Sequence, residues 1–105
     1  MDIRRLDLDI AIYRDRVQVT DRSTSSFVDQ RAEYPFSSNH SLVANPRNLE
    51  DTLVRAIRQL LSGGFMLSKP SARVIASELP LSPSQKTIVE TALREAGISD
   101  VTFAL

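Results

Sequence analysis

The sequence has no cysteine, which removes disulfides, a thiolate nucleophile and zinc–thiolate sites from consideration. Long apolar runs are missing too. None approaches the roughly 20 residues that span a bilayer, and the N-terminus has no apolar signal core. Net charge is also absent: thirteen basic and thirteen acidic residues cancel, so no global field draws the chain to nucleic acid or anionic lipid. There is no internal repeat, low-complexity tract or linker. What is left is a soluble domain, expected in the cytoplasm, whose 105 residues leave room for one hydrophobic core. In that setting the Asn39-His40-Ser41 sequon is read as accidental.

What is present is periodicity. Leu6, Leu8, Ile10 and Ile12 alternate with Asp7, Asp9, Ala11 and Tyr13, the period of a half-buried strand. A tight turn at Arg14-Asp15-Arg16 leads into a second strand, where Val17 and Val19 alternate with Gln18 and Thr20, so the two form a hairpin. Residues 21–26 are polar and read as loop. Phe27-Val28 and Glu33-Tyr34 are candidate strand pieces, with Pro35 confining the second to an edge or strand end. Leu42-Val43-Ala44 is a short apolar run closed by Asn45-Pro46.

Two helices stand out. Leu49, Leu53, Ala56, Ile57, Leu60 and Leu61 form one stripe of 3.6-residue period; Asn48 is the expected N-cap, Glu50 and Asp51 the first-turn acids, and Gly63-Gly64 the stop. The second helix opens on the capping box Ser82-Pro83-Ser84-Gln85, buries Ile88, Val89, Ala92, Leu93 and Ala96, and ends at Gly97. A β-rich segment at 72–77 precedes this helix and another at 99–105 follows it. About 20 residues between two strands, one helix among them, imply a right-handed crossover and parallel pairing. The expected fold is α/β: a mixed sheet of about five strands, with an N-terminal hairpin beside a parallel βαβ unit and two main helices.

No residue pattern proves an activity. Asp7 and Asp9 share one strand face about 7 Å apart and suit a hard cation such as magnesium. The same pattern arises on the wet face of a hairpin, and no third acidic ligand sits at a compelling spacing. No metal site is assigned. His40, the sole histidine, has no assignable nucleophile or orienting group and reads as a loop residue. Ser62-Gly63-Gly64-Phe65 follows a helix, whereas phosphate loops precede one, so it reads as a C-cap. Arginines 4, 5, 14, 16, 22 and 31 are interspersed with aspartates and have no aromatic ladder for base stacking. They form a solvated, ion-paired surface rather than a nucleic-acid site.

The stretch from 65 to 105 carries Lys69-Pro70, Val74-Ile75-Ala76, Leu79-Pro80, a capped helix ending Glu95-Ala96-Gly97, and Val101-Thr102-Phe103. With the helix that precedes it, this wording resembles the first subdomain of the actin-like ATPase superfamily. The similarity is greatest to the bacterial rod-shape-determining (MreB-like) proteins. The resemblance implies a ribonuclease H-like, actin-like subdomain over residues 1–105, and makes Asp7 or Asp9 a candidate relic of the family's metal-side aspartate. It also exposes departures. The family's first hairpin turn is glycine-containing and wraps nucleotide phosphates through its backbone N–H groups, but residues 7–20 contain no glycine. The second phosphate loop and the other cleft wall have no counterpart. The implied function is therefore non-enzymatic and needs no cofactor: self-association, or binding of another protein such as an actin-like filament, in cell-shape or cytoskeletal organisation. The alternative is a nucleotide- and magnesium-binding, ATPase-related domain that uses Asp7 and Asp9.

Overall fold

In the computed structural model, which describes residues 6–61 and 70–105, the chain runs β1 (Asp7–Tyr13), β2 (Arg16–Asp21), β3 (Ser26–Arg31), α1 (Pro46–Leu61), β4 (Ser71–Ser77), α2 (Pro83–Glu95) and β5 (Asp100–Phe103). The strands form one sheet in the order β3-β2-β1-β4-β5. β1 pairs antiparallel with β2, and β2 with β3; β4 runs parallel to both β1 and β5. The expected mixed α/β sheet with two helices is what the chain adopts.

Alternation in β1 and β2 decides which side of this sheet is dry. Leu8, Ile10, Ile12, Val17, Val19, Ala72 and Val74 project to one face, and all join the core formed with Leu49, Leu53, Ala56 and Ile57 of α1 and Val89, Ala92 and Leu93 of α2. Both helices therefore cover the same face, and no described element covers the other. A bulge in β4 interrupts the match. Ile10 pairs with Val74 but Ala11 pairs with Ala76, so Ile75 is the extra residue and is exposed. One residue too many on one strand bends it locally.

The helix ends follow capping chemistry, with one correction. Asn45, not Asn48, starts α1: its side-chain Oδ1 accepts the Asn48 N–H at 3.0 Å and its carbonyl accepts the Leu49 N–H at 3.0 Å. Pro46 then occupies the first helical position, where a missing N–H costs nothing. The helix thus starts earlier than its apolar stripe suggests, and no acidic residue lies in its first turn. The Asn48 side chain instead donates to the Pro35 carbonyl at 2.8 Å. For α2 the expected capping box forms, with Ser82 and Gln85 exchanging both bonds. Its other end is a Schellman motif: Gly97 N–H bonds to Arg94 O and Ile98 N–H to Leu93 O, each at 3.0 Å, with Gly97 at φ 106°. A left-handed residue is needed there, and glycine takes that conformation without a Cβ clash. The Gly63-Gly64 stop of α1 and the 62–65 turn lie outside the described residues, as do Arg4 and Arg5.

The segment between β3 and α1 also departs from expectation. Phe27 and Val28 do lie in a strand, which begins at Ser26, but Glu33 and Tyr34 do not. Phe36, Leu42 and Val43 are buried to within 1% of full coverage without belonging to any helix or strand. This irregular loop closes one end of the core.

Candidate functional site

Asp7 and Asp9 project from the central strand onto the open face of the sheet, as the alternation requires. Neighbouring strands then fix their surroundings. Asp9 lies opposite Thr20 on β2 and Arg73 on β4. Its carboxylate stands 3.2 Å from the Arg73 guanidinium and 3.4 Å from that of Arg22. Asp7 pairs with Ser71, whose hydroxyl donates to Asp7 Oδ1 at 2.5 Å. The two carboxylates thus share a face and are each engaged by the protein. A pair of guanidiniums beside one carboxylate compensates its charge, whereas a bare carboxylate pair would attract a cation. Among the described residues no group of three or more histidine or acidic side chains is placed to hold a metal ion.

The turn joining β1 to β2 holds a more organised polar cluster. Asp15 adopts φ 53°, a left-handed conformation that aspartate tolerates better than most residues. From that position its Oδ1 accepts the N–H groups of Phe36 at 2.9 Å and Ser37 at 2.8 Å, while its own N–H donates to Ser37 Oγ at 3.1 Å. Ser37 Oγ in turn donates to the Leu42 carbonyl at 2.6 Å, and the Arg14 guanidinium reaches the Ser38 carbonyl. The N-cap region of α2 joins the same cluster through Gln85 Nε2 and Ser41 Oγ at 3.0 Å. The turn's polar groups are spent on the 36–44 loop, whose buried Phe36, Leu42 and Val43 they hold against the core. The spacing of Arg14-Asp15 announced a turn; nothing local announced that its carboxylate anchors a segment about twenty residues away in sequence.

His40 lies exposed in that loop, with its backbone N–H on Ser38 Oγ at 3.2 Å. At the start of α2 its own capping box satisfies the N–H groups of Ser82 and Gln85. A second carboxylate pair lies elsewhere. Glu50 on α1 is held above its ordinary pKa of 4.5 chiefly by a hydrogen bond with Glu95 at the end of α2, with lesser contributions from desolvation and from the Glu95 charge. Two helices distant in sequence create this contact, so no spacing rule could have located it.

The sheet ends in two edges, β3 and β5. β5 is short, at four residues. β3 has six, presents Phe27 at 55% exposure, and carries Asp29 and Arg31 on the open side. Among the described residues the Arg16–Asp29 ion pair at 2.8 Å and the stacking of Arg16 over Tyr13 at 4.7 Å complete the polar coat of this face.

No family model matches this chain, and no curated protein matches it.

Proposed function

We propose that the chain is a non-catalytic, MreB-like (actin-like) domain of the cytoplasm that acts by self-association or by binding another protein in cell-shape or cytoskeletal organisation. The observation that carries this reading is a sheet that, among the described residues, is covered on one side and has the six-residue strand β3 at an unpaired edge. Backbone N–H and C=O groups along such an edge are a template for pairing with another chain. Two further features support it. A hairpin beside two parallel strands is the arrangement the resemblance implies. The turn that would have to cradle phosphates is committed through Asp15 to its own loop, and Asp9 is already met by two arginines, which favours association over nucleotide chemistry.

Sedimentation of the purified chain over a wide concentration range, alone and with a polymerised actin-like filament, tests the reading. Concentration-dependent assembly or co-pelleting with the filament is the expected result. A strictly monomeric chain that stays in the supernatant in both arms overturns it.

A further inference from the structure

The hydrogen-bond register identifies which groups of β3 face outward. Arg22 N–H bonds to Asp7 O and Ala32 N–H to Asp15 O. In an antiparallel ladder hydrogen-bonded pairs alternate with non-bonded ones, so on β3 residues 26, 28 and 30 bond to β2. Phe27, Asp29 and Arg31 turn their N–H and C=O groups away from the sheet. Among the described residues no bond reaches the N–H of these three. The Arg31 carbonyl accepts Gln30 Nε2 at 2.8 Å, and its second lone pair is left for another donor.

Side chains at these positions carry opposite charges two residues apart on one face. An antiparallel strand of the same sequence can pair with them in few ways, because opposed residues must share a face. Centring the two-fold axis on Asp29 sets carboxylate against carboxylate. Centring it on Val28 sets Phe27 against Asp29. Centring it on Gln30 sets Asp29 against Arg31 twice, and Val28 against Ala32 on the helix side, where both already pack against the core. Within its own sheet Arg31 lies directly opposite Arg16, whose guanidinium Asp29 of the same chain meets at 2.8 Å, so a partner's Asp29 would bring a second carboxylate to this pair of cations.

We propose that β3 pairs antiparallel with β3 of a second copy about a two-fold axis at Gln30, Asp29 of each opposing Arg31 of the other, to make one continuous sheet. This rests on the association reading above and names the partner. Each copy has one β3, so the contact closes at a dimer.

Charge exchange tests it. Asp29→Arg gives a strand with two cations and Arg31→Asp one with two anions. Each variant alone should dimerise at least about tenfold more weakly than the parent chain, while an equimolar mixture forms a one-to-one heterodimer at parental strength. Circular dichroism establishes that both variants remain folded. Independently, Gln30→Cys introduces the chain's sole thiol at a non-bonded pair whose Cα separation suits a disulfide. It should oxidise to a covalent dimer, and Val28→Cys should not. A dimer indifferent to both charge variants, or one that fails to link through position 30, overturns this inference and leaves association through another surface standing. A monomeric parent chain overturns it too, and co-pelleting with a filament then decides the broader reading separately.

Discussion

The two faces of β1 show the same strand under opposite rules. Leu8, Ile10 and Ile12 are fully buried beneath both helices, and their contribution depends on how many atoms surround them. Asp7 and Asp9, interleaved with them, face the side that no described element covers, and their contribution depends on which charges the neighbouring strands present. Packing is unforgiving because a removed methylene leaves a hole. A half-solvated ion pair is forgiving because water replaces whatever partner is lost. The difference teaches where substitutions will be felt, and it separates the structural face from the one on which a partner can be read.

The largest effect is expected on the dry face. Ile10→Ala at the centre of the central strand should cost about 2–5 kcal/mol, seen as a lower midpoint at unchanged slope in urea unfolding. A loss below about 1 kcal/mol would mean that this core collapses around the hole and is not tightly packed. Next comes the turn that ties an end of the sheet to the 36–44 loop. Asp15→Ala removes a charged acceptor from two backbone N–H groups and should cost about 2 kcal/mol. Asp15→Asn keeps both an acceptor oxygen and tolerance of positive φ, and should recover most of that loss. Equal damage from both variants would assign the effect to charge and not to the hydrogen bonds.

Legibility in the sequence followed the same division. Periodicity is a signal of burial, so the β1–β2 hairpin, the α1 stripe and the parallel β4-α2-β5 unit could all be read, as could the Ser82–Gln85 box, whose partners are three residues apart. Contacts made across long sequence separations could not. The burial of Phe36, the anchoring role of Asp15 and the Glu50–Glu95 contact have no local pattern. Asn48 was a plausible cap because it immediately precedes Leu49, the first apolar position. Asn45 prevailed because the following Pro46 has its φ preset for a first helical turn and lacks the N–H that would go unsatisfied there. Of the candidate site, the common face of Asp7 and Asp9 followed from strand period alone. Arg22 and Arg73 did not, since their approach to Asp9 is a property of the assembled sheet.

The open face is expected to respond more gently. Asp9→Asn leaves Arg22 and Arg73 without their shared carboxylate and should cost no more than about 1 kcal/mol, an effect that shrinks as salt screens the pair. A gain in stability on this substitution would break the comparison. It would mark Asp9 as a strained carboxylate retained for chemistry, and magnesium–nucleotide titration of the parent chain would then become the decisive measurement.

The smallest effect belongs to Glu50 and Glu95 of the helix layer, where the influence of one carboxylate on the other outweighs that of the nearby Arg47 on Glu50. Glu50 has its folded-state pKa raised above 4.5, first by the hydrogen bond with Glu95. The folded chain therefore binds this proton more tightly than the unfolded chain does. That preference stabilises the fold fully below pH 4.5 and is lost as pH rises through the raised value, where the Glu50 carboxylate becomes charged. Glu95→Gln replaces the repulsive partner with a neutral donor and acceptor. The variant should equal the parent at low pH and exceed it by a few tenths of a kcal/mol above that window, the scale of an exposed like-charge pair. The difference between the two unfolding curves, followed across the carboxylate range, isolates this pair from every other acid in the chain. A variant weaker than the parent at neutral pH would mean that the two carboxylates hold a shared proton there, or a cation from solution, and that the helix layer carries the chemistry the open sheet does not.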